Sequence, residues 1–92
     1  MDKLVEIKSS IENLWSDLKD DSSESVGLEK DFTHIETLCM ETLMDYDSSS
    51  NVYIELKNFI AIANDVKSGI LNVQVDYPYI CDQIENILAG LE

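Results

Sequence analysis

Asp45, Asp47 and Ser49 occupy the first, third and fifth positions of a loop between two predicted helices. Oxygen-bearing side chains at that spacing are typical first ligands of a helix–loop–helix calcium site. The rest of the pattern is missing, because Ser50 stands where the turn needs Gly and Leu56 stands where the strongest ligand, a bidentate Glu, belongs. The sequence therefore predicts a loop that links two helices without binding calcium.

The only histidine, His34, has three candidate chemistries, and each lacks a required part. Phosphorelay transfer domains present one exposed His on a bundle helix, but residues 35–38 offer neither the Lys nor the small residue that steadies a phosphoryl group. Asp31 and His34 form one approximate Glu-x-x-His pair, whereas a di-iron bundle needs two. A zinc site from His34, Cys39 and Cys81 would require His34 to turn from the outer helix face to the inner one. We expect a surface histidine.

No other residues indicate catalysis. The three glycines form no phosphate-binding loop, and no Ser or Cys stands with the histidine in the arrangement of an activated nucleophile. Cys39 and Cys81 each lie in an apolar stripe, so both are expected as buried free thiols. We therefore expect a protein that is not an enzyme and that holds no cofactor and no metal.

Apolar residues recur at spacings of three and four in four segments, which predicts four amphipathic helices. The predicted helices cover about residues 2–19, 27–46, 51–68 and 77–90. Asp2 and Asp76 are the expected N-caps of the first and last helices, and Gly69 is the expected C-cap of the third. Residues 20–25 are polar and predict a surface loop, and residues 70–75 predict an extended, partly buried connection.

A chain of 92 residues is long enough for one small domain. Hydrophobic residues make up 45% of the chain, which favours a folded protein over a disordered one. Four amphipathic helices with short connections predict an all-α fold, either a four-helix bundle or a small orthogonal four-helix array.

The chain is strongly acidic, with 19 Asp and Glu against 6 Lys and a net charge of −13. Such a surface repels nucleic-acid phosphates and anionic membranes, so neither is expected as a direct partner. The charge is concentrated in residues 20–51, which carry nine acids and one Lys. A basic protein is the expected class of partner, and the chain itself is expected as a monomer or a weak homodimer.

The second predicted helix places Met40 and Met44 away from its apolar stripe and beside acidic residues. Exposed apolar side chains among carboxylates favour a surface that binds a basic protein. The predicted partner-binding residues are Glu36, Met40, Glu41, Met44, Asp45 and Asp47, with Ile54 and Tyr79 as weaker candidates. The alternative is that the acids only keep the protein in solution and that the methionines pack under a neighbouring loop or widen the core.

In its size, charge, helicity and acidic methionine face, the chain resembles the small acidic immunity proteins of bacterial toxin systems. The resemblance is to the class and includes no motif that would assign a role to a particular residue. It implies a stoichiometric inhibitor that covers the basic substrate groove, or a nearby exosite, of a cationic nuclease toxin.

Two other functions stay open at this point. A nucleic-acid mimic would spread carboxylates along one elongated face to imitate phosphates and would bind a DNA- or RNA-binding protein. A helical adaptor or subunit would expose a larger and more continuous apolar face. The first residues lack the apolar run of a secretory signal, and no apolar stretch is long enough to span a bilayer, so we expect a cytoplasmic protein.

Overall fold

The computed structural model describes residues 3–19 and 25–91, apart from the side chains of residues 25 and 26. It contains four helices in these ranges: α1 (Lys3–Lys19), α2 (Ser25–Leu43), α3 (Asn51–Ser68) and α4 (Tyr77–Leu91). No strand occurs within the described residues, so the predicted all-α class is confirmed. The expected cap at Asp2 and the loop over 20–24 lie outside the described residues, and Ser25, predicted in that loop, begins α2.

The four helices surround one apolar core. Close backbone approaches join α1 to α2, α2 to α3, α3 to α4 and α4 to α1, while in the described residues no two Cα atoms come within 8 Å across either diagonal. This arrangement is a four-helix bundle. Phe32 of α2 and Phe59 of α3 stack at its centre, with ring centroids 5.7 Å apart. Both cysteines, Cys39 and Cys81, are buried and free, as the sequence predicts.

The second helix ends at Leu43, three residues before the predicted end at position 46. The N–H groups of Asp45 and Tyr46 donate to the carbonyls three residues earlier, at 2.9 and 3.2 Å, so the chain tightens into a turn. Acidic and serine side chains follow, and such side chains compete with the helix for backbone hydrogen bonds. The α2–α3 turn therefore spans residues 44–50, and Met44 and Asp45 belong to it.

Ser50 begins the third helix as its N-cap. Its hydroxyl oxygen accepts a hydrogen bond from the Tyr53 N–H at 3.1 Å. Gly69 ends the same helix with a φ of 86°, a left-handed conformation that glycine adopts at low cost. The predicted bounds of α3 and its predicted C-cap are confirmed.

The connection between α3 and α4 is a hydrogen-bonded turn rather than the predicted extended segment. The Asn72 side-chain oxygen accepts from the Gln74 N–H at 2.8 Å, and the Asp76 carboxylate accepts from the Asn72 N–H at 2.8 Å. Val73 is buried and fixes the turn to the core, whereas Val75 is exposed. Alternating side chains can line a strand or a turn equally well, so the hydrophobic pattern could not distinguish them.

Candidate functional site at the acidic end of the second helix

Four of the six predicted partner-binding side chains are exposed at the carboxyl end of α2 and at the start of the turn that follows. Met40 is 47% exposed and Met44 is 88% exposed. Glu41 and Asp45, one residue after each methionine, are exposed as well. The prediction that both methionines point away from the core is confirmed. These four residues, together with Asp47, are called the acidic methionine surface below.

Glu36 does not belong to this surface, which corrects its predicted role in partner binding. The side chain is buried, with 4% of the residue exposed, and its Oε1 atom lies 2.7 Å from the Lys67 Nζ atom of α3. Position 36 lies at the edge of the apolar stripe of α2, where packing of α3 covers it. The carboxylate is therefore an internal ion-pair partner and is not available to another protein.

Asp47 has a structural role within the turn. Its Oδ1 atom accepts a hydrogen bond from the Ser49 N–H at 3.1 Å. This bond organises the turn before the N-cap of α3. Its side chain is nevertheless exposed, so its charge contributes to the field around Met44.

Glu41 and Asp45 have no such structural explanation. Within the described residues, the ion pairs are Lys67–Glu36 and Lys19–Glu85, so neither acid is paired with a lysine. Glu41 lies in the last turn of α2 and Asp45 two residues beyond its end, where the partial charge of the helix dipole is negative. The last turn of α2 contains no basic residue. A carboxylate at a helix carboxyl end opposes the dipole at a cost of about 0.3–1 kcal/mol.

The two weaker candidates are exposed at different places. Ile54 is 47% exposed in the first turns of α3, next to the α2–α3 turn. Tyr79 is 54% exposed in the first turn of α4, beyond the other end of α3. Because α3 has 18 residues, its ends lie about 27 Å apart at 1.5 Å per residue. Ile54 can therefore extend the acidic methionine surface, whereas Tyr79 belongs to the opposite end of α3.

Sequence reasoning missed several exposed apolar side chains around Tyr79. Ile70 and Val75 are 71% and 73% exposed, and Tyr77, predicted in the inner stripe of α4, is 42% exposed. Tyr77 is the first residue of α4, where the neighbouring helices do not cover it. The signal that could have indicated this was the position of Ile70 and Val75 within three residues of the turn-forming residues Gly69 and Asn72.

The two cysteine thiols are both stabilised in their protonated form. Burial raises the pKa of the Cys39 thiol to about 12, and the neighbouring Glu36 carboxylate adds to the rise. Burial also raises the pKa of the Cys81 thiol, although Lys19 acts in the opposite direction. Since the thiolate is the nucleophile, both cysteines are protonated packing residues at neutral pH. His34 is exposed on α2, as predicted.

Within the described ranges 3–19 and 25–91, no three His, Cys, Asp or Glu side chains converge on a point where they could hold a metal ion. The turn after α2, which begins like a calcium loop, uses Asp47 and Ser50 for backbone hydrogen bonds. Among the same residues, no helix combines the length and the apolar character that crossing a bilayer requires.

Comparison with known proteins assigns no family. The chain matches no protein-family model, no curated protein and no solved structure at a significant level. Among the described residues, the acidic methionine surface is the feature that local structure explains least.

Proposed function

We propose that the chain is a non-enzymatic binding protein and that its acidic methionine surface contacts a basic protein. The observation that carries the proposal is Met44, a residue that is 88% exposed and that lies between Glu41 and Asp45 in the chain, two acids without lysine partners. Methionine is flexible and polarizable, so it adapts to an apolar hollow on a partner. Unpaired carboxylates beside it favour lysines and arginines around that hollow.

The electrostatics of α2 support the same proposal. Glu41 and Asp45 destabilise the isolated helix because they lie at the negative end of its dipole. A cationic partner would offset this cost and add its own attraction to the carboxylates. Complementary fields of this kind raise the association rate more than they lower the dissociation rate. Fast, selective capture of a basic protein is therefore the activity that this arrangement serves.

The finer proposal is an immunity protein that blocks a cationic nuclease toxin. Nuclease surfaces that bind a phosphate backbone are basic, and an acidic cover with two apolar anchors would exclude the nucleic acid from such a surface. The net charge of −13 and the resemblance in size and helicity support this class of partner. The inhibitor would act in the cytoplasm with one chain per toxin.

The test is affinity capture with tagged chain from a lysate of the organism that encodes it, washed at low salt and then at about 0.5 M NaCl, where exposed ionic contacts are screened. Wild type should retain one basic protein through the second wash, because the methionine contacts do not depend on salt. The double variant Met44→Lys with Asp45→Lys should lose it. The captured protein should degrade nucleic acid, and one equivalent of wild-type chain should stop the reaction.

A matched control is available on the first helix. Val5 and Glu6 are an exposed apolar residue and an exposed acid next to it, so Val5→Lys with Glu6→Lys makes the same change of charge away from the site. The control should capture the partner as wild type does. Equal loss in both double variants would overturn the assignment of the surface, since bulk charge would then explain binding. Capture of a nucleic-acid-binding protein at low salt only would instead indicate mimicry of nucleic acid.

A further inference from the structure

A groove between α1 and α4 is lined in part by Trp15, the only tryptophan of the chain. It has a volume of about 420 Å³. Its lining combines apolar side chains, two acids and one serine: Glu12, Trp15, Ser16, Glu85, Leu88 and Ala89. An aromatic face with carboxylates beside it is the environment that binds an organic cation in water.

The chain itself places a cation beside this groove, against two of the residues that line it. The Lys19 Nζ atom lies 3.7 Å from the centroid of the Trp15 ring, and the Glu85 Oε1 atom lies 3.8 Å from the same nitrogen. The ammonium group therefore has both contacts that the site offers, the ring face from α1 and a carboxylate from α4. These two contacts of the lysine indicate a preference for a positively charged group, since a cation gains from both the ring face and the carboxylate.

Lys19 is held only weakly by these two contacts. Its side chain is 49% exposed and that of Glu85 is 51% exposed, so water competes for both charges. A lysine ammonium makes a single-point contact with a carboxylate, whereas the planar guanidinium of arginine stacks on an indole ring and bonds a carboxylate through two N–H groups. An arginine side chain from outside is therefore able to replace Lys19.

We propose that the Trp15 groove is a binding site for an arginine side chain of a protein partner and that Lys19 is the internal group that the arginine displaces. The proposal rests on the proposed function for the nature of the partner, because a basic protein supplies such side chains. The site itself is defined by Trp15, Glu85 and Glu12 and is separate from the acidic methionine surface, which lies on α2 and its following turn.

The experiment titrates the purified full chain with N-acetyl-arginine amide and follows Trp15 by fluorescence and by the NMR signal of its indole N–H. Lys19→Met removes the internal competitor, so the probe should bind about two- to fivefold more tightly, the factor that corresponds to an exposed cation–aromatic contact. Glu85→Gln should weaken binding, and N-acetyl-lysine amide should bind less tightly than the arginine probe.

Lys57→Met is the matched control. Lys57 is exposed and lies farther from its aromatic neighbour, with 5.8 Å between its Nζ atom and the Tyr53 ring centroid. Lys57→Met makes the same change in net charge as Lys19→Met but does not touch the Trp15 groove. It should therefore leave the affinity for the probe at the wild-type value. Equal affinities for the two lysine variants, or an unchanged affinity in Glu85→Gln, would overturn the proposal. If Lys19→Met does not fold, Lys19→Gln replaces it.

The outcome does not depend on the partner of the acidic methionine surface. The probe is a small molecule, and the variants used here leave Met44 and Asp45 unchanged. Arginine binding at Trp15 with no captured basic protein would contradict the proposed function alone. Capture of a basic protein with no effect of Lys19→Met on the probe would contradict this inference alone.

Discussion

At the scale of single residues, the ion pair between Glu36 and Lys67 is the shorter and more buried of the two ion pairs that join helices within the described residues. The Glu36 side chain is 6% exposed, while the Lys67 side chain is 42% exposed. Loss of the partner is therefore more costly for Glu36 than for Lys67. Lys67 keeps water around its ammonium when the partner is lost, but Glu36 would keep a buried charge with nothing to compensate it.

Lys67→Met should therefore destabilise the protein more than Glu36→Gln does. We expect a loss of about 1–3 kcal/mol for Lys67→Met, because a buried carboxylate loses its charged partner, and about 1 kcal/mol or less for Glu36→Gln. Urea unfolding followed by circular dichroism measures both values. Lys57→Met, which removes an exposed lysine elsewhere on α3, should leave the midpoint almost unchanged.

The difference between the two unfolding free energies tests this assignment. A larger loss in Glu36→Gln than in Lys67→Met would contradict the assignment of Glu36 as the dependent member. The double variant should be more stable than Lys67→Met alone, since it removes the buried charge together with its partner.

Side-chain exposure in and just after α2 could be predicted from the sequence only in part. The spacing of apolar residues in α2 correctly predicts Met40 and Met44 outside the core. It places Glu36 only at the edge of the stripe, and the edge is covered or exposed according to how closely the next helix packs. That packing depends on α3 as a whole. The spacing of apolar residues in α2 alone therefore could not predict whether Glu36 is buried.

At the scale of the elements, helix ends with a specific local signal were predictable, and ends without one were not. Gly69 after Lys67 predicts the end of α3, and the structure has the left-handed cap there. The end of α2 has no glycine and no proline, and the apolar pattern continues to Tyr46. The helix ends at Leu43, where the backbone changes from helical hydrogen bonds to those of a turn. The spacing of apolar residues does not reveal this change.

The N-cap of α3 gives the test at this scale. Ser50→Ala removes the hydroxyl that accepts from the Tyr53 N–H, so we expect a loss of about 1 kcal/mol in the free energy of unfolding. Ser49→Ala is the control, because Ser49 is exposed and its backbone N–H, rather than its hydroxyl, makes the hydrogen bond to Asp47. Equal unfolding midpoints for the two variants would show that the cap does not stabilise the helix.

At the scale of the whole molecule, the charge of −13 is not balanced internally. In residues 3–19 and 25–91 the ion pairs use Lys19 and Lys67, and the carboxylates at the end of α2 remain unpaired. Like charges held together in a compact fold repel one another, and the unfolded chain relieves this repulsion by expanding. The bundle therefore depends on its apolar core to offset an electrostatic cost.

Sodium chloride should consequently stabilise the protein. The midpoint of urea unfolding is expected to rise between 0.02 and about 0.5 M NaCl, because the screening length falls from about 20 Å to about 4 Å over that range. The chloride salt is chosen because sulfate also strengthens apolar burial. The Val5→Lys with Glu6→Lys variant, with a smaller net charge, should respond less. A midpoint that falls with salt would mean that attraction between charges outweighs repulsion.

The unequal burial of Glu36 and Lys67 also restricts the order in which descendants of this chain can change these two positions. A lineage that first replaces Glu36 by an uncharged residue keeps a hydrated lysine and passes through a stable intermediate. A lineage that first loses Lys67 passes through a chain with a bare carboxylate inside the bundle. Divergent sequences with this fold should therefore include many with a lone Lys at position 67 and very few with a lone Glu at position 36.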